Sequence, residues 1–583
     1  MLYSLTANHP SFKPLEFRPG LNILLADRVI EDRDRRSAER RTRNGAGKSS
    51  VLDLVHFVLA GRPDGALASK PLADWTFELA LQVGDDRIAA RRGLADPRTI
   101  TVKKIGPGFA VSDETTFSNA AWGNYLGRSW FGLSASRLPG GPTFRSLFTY
   151  FARRRRDGAF DDPVRTFRAQ ASAVNETNLA LLFGLDAEIV RRLHQAKGAL
   201  KQIETALKAL SDIDKAMPVG VRRIDLEAEL SAKIAAATLA RDHLKERIES
   251  FNVLPAFREL EGELATLNER ARDLSDEDVL DQEAIDANRR ALEAEDGLAA
   301  PQLERLFGEA QLVFPDAVMR RYEEVLQFHQ QLVENRQAHL QREIASAQRR
   351  TAERRPAREQ IEDRRRQITA ALRSSGPAEE LLRLRDELSE REGAVRGLEA
   401  RLAEARKLEE EGETRRLEVD EMVRSLRQDR RERAALVDSA SRTFSQISER
   451  LYETPGQLAI SATEGGLRFL PSMPSSQSAG VMSIEIFCFD LTIASLCKSR
   501  GLGPGFLMHD SHLFEAVDGR QFARALRIGA TFADETGIQY IVTLNSDELA
   551  RAEAEGEEDF SKFVLDTKLS DTPEGGLFGI RFD

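Results

Sequence analysis

From Ile189 onward the apolar residues fall at alternating steps of three and four, through Leu193, Ala196, Leu200, Ile203, Leu207 and Leu210, which is the a/d seam of a coiled coil. Met217-Pro218-Val219-Gly220 interrupts the seam, and it is clear again at Leu260, Leu264, Leu267, Ala271 and Leu274. Between 276 and 318 the repeat loses register, and Gly297, Pro301, Gly308 and Pro315 punctuate the stretch, which predicts a distal turn there. A return seam runs through Leu381, Leu384, Leu388, Val395, Leu398, Leu402 and Ala405, after a break at Ser374-Ser375-Gly376-Pro377. An outgoing arm, 187–275, and a returning arm, 319–450, can pair as an antiparallel hairpin. At about 1.5 Å per residue, an arm of roughly 90 residues predicts a rod on the order of 130 Å.

The flanks carry a different pattern. In 1–186, Leu21–Leu25 is a short apolar strand and Val51–Leu59 a buried-helix pattern, while Trp75–Val83 and Asp86–Arg92 pair across Gly84-Asp85, with Thr99–Ile105 as a third strand. Pro142–Ser146 leads into an apolar helix and the tetrad Arg153–Arg156, which reads either as a solvated face or as a phosphate-contacting patch. In 451–583, Leu458–Ala462 and Leu467–Leu470 flank a Glu464-Gly465-Gly466 turn, Val481–Leu496 is a helical run, and Phe506–Asp510 and Ile538–Thr543 are strands. Phe563–Leu565 and Leu577–Phe582 are expected to close the chain as strands. The two flanks are thus the α/β halves of one head, split by the hairpin.

Composition sharpens this picture. Charged residues make up 31% of 583 and aromatics 7%, a balance of long solvated helices rather than several packed globules. The formal charge of −10 excludes a generally basic nucleic-acid binder and leaves local patches for any such contact. Cys488 and Cys497 cannot build a disulfide framework or a four-ligand zinc site. With no basic stretch followed by an apolar one at the N-terminus, and no run of about 18 apolar residues, the expectation is a cytoplasmic protein without a membrane partner.

The chemistry concentrates in Asn44-Gly45-Ala46-Gly47-Lys48-Ser49-Ser50, set between an apolar strand and a buried helix, the order a phosphate-binding loop requires. Glycines let backbone N–H groups turn toward an anion, Lys48 reaches the β- and γ-phosphates, and the Ser49 hydroxyl serves Mg²⁺. The helix that follows adds the positive end of its dipole. Thr42 stands where the usual loop has its first glycine, and Asp27–Arg43 separates strand from loop. That insertion interleaves arginines with acids and reads first as a self-paired, solvated segment. Arg43 is its candidate for lending a guanidinium to the phosphates.

Far downstream, Phe506-Leu507-Met508-His509-Asp510 is a strand ending in an acid, and Asp510 is the expected Mg²⁺ partner of Ser49. Phosphate loop, long coiled coil and acid-tipped strand, in that order, resemble the ABC-class ATPases of the SMC and DNA-repair type, such as SbcC and RecN. NGAGKSS and FLMHDS also resemble a smaller family of SMC-like ATPases associated with bacterial three-component ABC defence systems. The resemblance covers the whole chain in architecture and only a few short stretches in motif. It implies a split ABC-type head using ATP and Mg²⁺, pairing as a homodimer that sandwiches two nucleotides. It also implies double-stranded DNA bound through its backbone, effector or accessory proteins as partners, and a role in anti-phage defence or DNA maintenance.

By the same resemblance, Ser478-Ala479-Gly480 is the S-x-G signature that contacts the γ-phosphate held by the opposite head, and Asp518 is the acid of a loop at the dimer interface. Asn545 stands where the family often has a switch histidine. Ser511 is the largest departure, because the family places there the glutamate that polarises water, and a serine hydroxyl is a poor general base at neutral pH. Glu515 and His512 are the nearby replacements. Two alternatives stay open: a nucleotide-gated scaffold with little hydrolysis that holds or releases effectors, and a DNA-repair ATPase partnered with a nuclease.

Overall fold

The computed structural model describes residues 1–27, 47–105, 111–134, 139–212, 226–250, 255–296, 315–372, 376–474, 479–570, 572 and 574–580. They form two compact units, one of Met1–Ala199 with Arg415–Asp583 and one of Leu200–Thr414.

The first unit opens with β1 (Leu2–Ala7), β2 (Leu15–Glu16) and β3 (Leu21–Asp27), followed by helix α1 (Lys48–Val58). Strands β4 (Thr76–Val83), β5 (Asp86–Gly93), β6 (Thr99–Ile105) and β7 (Val111–Ser118) extend an antiparallel sheet in the order β2-β1-β4-β5-β6-β7. Val83 pairs with Asp86 across Gly84, whose φ of +59° suits a two-residue hairpin. Helices α2 (Asn119–Phe131), α3 (Phe144–Phe148) and α4 (Ser172–Phe183) complete the N-terminal half. Thr143 caps α3 by accepting from the Ser146 amide.

Two long helices join the halves to the second unit, α5 (Ala187–Asp212) and, after α6 (Leu226–Glu249), α7 (Pro255–Asp296) and α8 (Pro315–Leu372), the helix α9 (Gly376–Glu432). The C-terminal half contains α10 (Ala434–Tyr452), the hairpin β8 (Gln457–Thr463) with β9 (Gly466–Ser472), and α11 (Ala479–Ser499). It ends with β10 (Phe506–His509), α12 (Gly519–Thr536), β11 (Gln539–Asn545), α13 (Ser546–Gly556) and β12 (Leu569–Ser570). A second, wholly parallel sheet has the order β10-β11-β3-β12, so one strand from the N-terminal half lies between strands from the C-terminal half. β3 is buried along almost its whole length, the continuous apolar signature of a parallel strand covered on both faces.

Val190, Leu193, Val423 and Leu426 belong to the core of this unit, which therefore takes in the bases of both long helices beyond the expected limits of 186 and 451. The expected closing strand at Leu577–Phe582 does not form among the described residues. Leu577 and Phe578 are instead buried in turns, Phe578 against Phe12, Trp75 and Phe77. Phe563 closes a short 3-10 turn, and only Val564 bridges to Ile23.

The tetrad Arg153–Arg156 is neither a solvated face nor a free phosphate patch. Arg153 is fully buried, its Nε and Nη2 donating to Asp490 Oδ2 and Oδ1 at 2.7 and 2.8 Å. Arg154 and Arg156 reach Asp53 and Asp64, and only Arg155 is mainly exposed. Asp490 sits inside the apolar helix α11, which also corrects the reading of no long apolar run. Gly480–Ser499 has the length and mean hydropathy, 1.7, of a membrane span, yet most of it is buried as the core helix of this unit.

In the second unit α6 runs antiparallel to α9, with Arg406 on Glu227 and Arg247 near Glu380. α7 runs antiparallel to α8: Arg354 meets Asp278 and Asp281, Arg364 meets Glu263, and Leu264 packs with Ile368. α7 also lies alongside the first half of α9 in the same direction, since Glu261 faces Arg385 and Arg272 faces Glu392. A single two-arm hairpin does not give that last contact; α7 and α8 double back beside α9. The stretch expected to be a distal turn, 276–318, is helical through Asp296 and again from Pro315, with 297–314 outside the described residues. The acids and arginines of α7 and α8 pair across the helices, so loss of the apolar repeat did not mean loss of helix.

Candidate functional site

A parallel sheet presents the C-terminal ends of its strands along one edge, and here the ends of β10 and β11 carry the expected polar residues Asp510 and Asn545. β3 leads toward the phosphate loop, of which Gly47, Lys48, Ser49 and Ser50 are described. Arg43, Asn44, Gly45 and Ala46 lie outside the described residues, as does Ser478. Gly47 has φ +80°, and a Cβ there would stand 2.9 Å from Leu577 Cβ, so backbone and C-terminal segment both require glycine. α1 starts at the next residue.

Lys48 is 7% exposed and its ammonium donates to Asn545 Oδ1 at the end of β11. Ser49 Oγ donates to Asp510 Oδ2 at 2.6 Å. Asp510, just past β10 and 2% exposed, accepts at Oδ1 from Thr543 Oγ1 at 3.1 Å and from Ser511 Oγ at 3.3 Å. Because β11 lies between β3 and β10, Thr543 and Asn545 fill the space between the loop and the acid. Sequence reading found Lys48, Ser49, Asp510 and Asn545 but not Thr543, a β-branched residue indistinguishable from any other in a strand.

Ser511–Phe514 forms a 3-10 turn that brings His512 back toward Asp510. His512 Nδ1 lies 3.9 Å from Asp510 Oδ1 and 3.4 Å from Glu515 Oε1, without a hydrogen bond. Glu515 is half exposed and also faces Arg155 Nη1 at 3.6 Å. The structure therefore places both proposed substitutes for a base at Ser511 on one turn. Gly480 starts the neighbouring helix pressed against this segment, since a Cβ would come within 2.4 Å of the Ala516 carbonyl oxygen. Asp518 is exposed at the N-cap of α12, accepting from the Arg520 amide at 3.0 Å.

His509 faces the opposite side of β10 from Asp510, as alternation along a strand requires. Its Nδ1 is 3.0 Å from Tyr540 OH and its Nε2 3.3 Å from Asp490 Oδ2, so it joins the buried Arg153–Asp490 pair. On the outer side of α1, Asp53 has its pKa raised to about 6 by burial, opposed by Arg156 and Arg154.

Mg²⁺ takes hard oxygen donors and is usually held by one or two carboxylates together with phosphate oxygens and water. Ser49 Oγ and Asp510 fit that donor set. Among the described residues no group of three or more His, Cys, Asp or Glu is placed to hold a metal ion.

Residues 447–582, less than half of the chain, match a family described as uncharacterised proteins conserved in bacteria (DUF2326). None of the curated proteins compared is significantly similar to the chain. Among solved structures, the chain is similar to the Smc head domain with a coiled coil and joint derived from Pyrococcus yayanosii, at 14% identity and a TM-score of 0.37 over 99% of this chain and 96% of that one. It is also similar to the Smc head domain with an extended coiled coil, bound to the C-terminal domain of ScpA, derived from Pyrococcus furiosus. There the identity is 13% and the TM-score 0.27, over 95% and 92% of the two chains.

Proposed function

We propose that the chain is an SMC-like ATP-binding subunit whose head binds Mg²⁺–ATP between Lys48, Ser49 and Asp510 and dimerises on doing so. The observation that carries this reading is the convergence of Lys48 with Asn545, and of Ser49 with Asp510, where the start of α1 meets the ends of the adjacent strands β10 and β11. Ser49 and Asp510 would hold Mg²⁺, which would supply positive charge against that of the phosphates. Lys48, now on Asn545, would serve the β- and γ-phosphates, the Ser49 hydroxyl and the Asp510 carboxylate would hold the ion, and Thr543 keeps Asp510 oriented. Asn545, once free of Lys48, would sense the γ-phosphate.

Ser511 donates to Asp510 and is no base, so water orientation falls to His512, supported by Glu515. The Ser478-Ala479-Gly480 segment, whose Gly480 lies against Ala516, and Asp518 would meet the nucleotide of a second head. Closure of two heads would change how the helices leave them, clamping double-stranded DNA through its backbone or releasing an effector, in anti-phage defence or DNA maintenance. Ser511 favours a second reading, a nucleotide-gated scaffold that turns ATP over very slowly.

Steady-state hydrolysis with and without double-stranded DNA, run beside the dimer mass in ATP and in ADP, tests both readings. DNA-stimulated turnover lost in Lys48→Ala supports the clamp, and ATP-dependent dimers without turnover support the scaffold. Absence of nucleotide binding in the wild-type chain refutes both.

A further inference from the structure

A cavity of about 580 Å³ opens at the far end of α1 from the phosphate loop, where Ala60 and Arg62 line it. An 11-residue helix is roughly 16 Å long, which separates the cavity from Gly47 by at least that distance. Its wall carries Arg62, Arg145 and Arg191 with the amides of Asn119 and Asn124. Glu188 neutralises Arg191 through a two-bonded pair.

Arg145 has no such partner. Its Nη1 faces His56 Nδ1 at 3.1 Å and the His56 and Leu59 carbonyls at 3.4 Å, which caps the end of α1. Among the described residues no carboxylate lies within ion-pair distance of it, and its Nε and Nη2 donate to nothing. Burial, together with Arg154, lowers its pKa to about 10, against the opposing pull of the more distant Asp157 and Asp64. A second group on the same wall is also incomplete. Asn119 Nδ2 donates to the Ala60 carbonyl at 3.3 Å, while its Oδ1 is buried with no partner. Buried polar atoms are normally satisfied, and Asn119 Oδ1 is not; the half-buried Arg145 guanidinium on the same wall has an edge with no protein acceptor, so one ligand can serve both. The first turns of α2 line the cavity as well, adding the positive end of a 13-residue helix.

We propose that this cavity binds a phosphorylated small molecule of mononucleotide size, its phosphate on the free edge of Arg145 and a donor of its organic part on Asn119. A guanidinium edge matches two phosphate oxygens, and the volume falls within the usual range for small-molecule sites. The site is separate from the phosphate loop and does not depend on hydrolysis there.

The test uses the full chain carrying Lys48→Ala, so that binding at the loop is removed, titrated calorimetrically with AMP, GMP, ribose 5-phosphate, inorganic phosphate and adenosine. At least one of the three phosphate esters should bind, with affinity falling about 10- to 100-fold in Arg145→Met, in keeping with loss of a charge-assisted contact. Tryptophan fluorescence checks that Arg145→Met folds. Should it not fold, Asn119→Ala and the exposed Arg62→Ala provide the same comparison with smaller expected losses, about threefold or more. Binding unchanged by these substitutions, binding of inorganic phosphate as tight as that of the esters, equal binding of adenosine, or no binding of any ester each overturns the proposal.

Discussion

Arg153 and Asp490 offer the clearest quantitative test of the head's construction. Both are fully buried, they share two hydrogen bonds of 2.7 and 2.8 Å, and Arg153 Nη1 also donates to the Ala159 and Arg165 carbonyls at 2.8 and 2.7 Å. Asp490→Ala leaves a guanidinium buried without its counter-charge, a change that costs roughly 3–5 kcal/mol. The head unit contains roughly 370 residues, and at about 2.1 cal/mol/K each its unfolding entropy is near 0.8 kcal/mol/K. Tm should therefore fall by about 4–6 °C. All three tryptophans, Trp75, Trp122 and Trp130, are buried in this unit, so their fluorescence reports its unfolding free of signal from the long helices. Arg153→Met should cost as much or more, because it orphans carbonyl groups as well as Asp490. The double variant Arg153→Met/Asp490→Ala should be clearly less destabilised than the sum of the two, since it strands neither charge. A shift of Asp490→Ala under about 1 °C, or additivity within about 0.5 kcal/mol, would refute this account.

The remaining expectations concern the nucleotide site and its surroundings. His512→Ala should lower ATP turnover roughly 10- to 100-fold while ATP-dependent dimers still form, and Glu515→Gln should lower it less; unchanged turnover in both removes the turn from the reaction. Gly47→Ala forces a non-glycine residue to φ +80° against Leu577, so it should destabilise the head by about 1–3 kcal/mol and weaken ATP binding, both readable by tryptophan-monitored melting with and without ATP. Burial raises Glu485 to a pKa of about 7. The folded head then holds a proton that the unfolded chain has released above pH 4.5, so this group's contribution falls as pH rises from about 4.5 to 7. Glu485→Gln should accordingly raise Tm at pH 8 and leave it nearly unchanged at pH 4, and the reverse order would contradict the assigned burial.

Much of the head was legible because its signals are local. A strand, a glycine-bounded loop and a buried helix follow one another within 40 residues from Leu21 to Leu59, and Gly84 marks its hairpin directly. Asp510 and Asn545 were legible as polar residues ending apolar strands. What was hidden depends on contacts distant in sequence. Thr543 becomes important only because β11 inserts beside β3, and Arg153 reads as one of four surface arginines until Asp490 meets it 337 residues later. The available clue was Asp490 itself, a charge inside an otherwise apolar helix, which demands a buried partner. In the long helices the a/d pattern found the segments but not their doubling back. Interhelical ion pairs such as Arg354 with Asp278 leave no apolar period to read.

The same buried network gives the site a physical route to the surface expected to face a second head. Asp510 closes β10, and the preceding residue, His509, reaches Asp490 in α11. That helix begins at Ala479-Gly480, where the backbone presses on Ala516, beside Glu515 and two residues before Asp518. Packed interiors transmit displacement because they have little free volume to absorb it. If the proposed nucleotide site shifts β10 when occupied, the shift would therefore be felt at the start of α11 and at the Glu515–Asp518 turn together. Asp490→Asn keeps the shape of this link and removes its charge. If the link matters, that variant should bind ATP with near-normal affinity yet dimerise more weakly, and equal loss of both would reduce the network to a structural support.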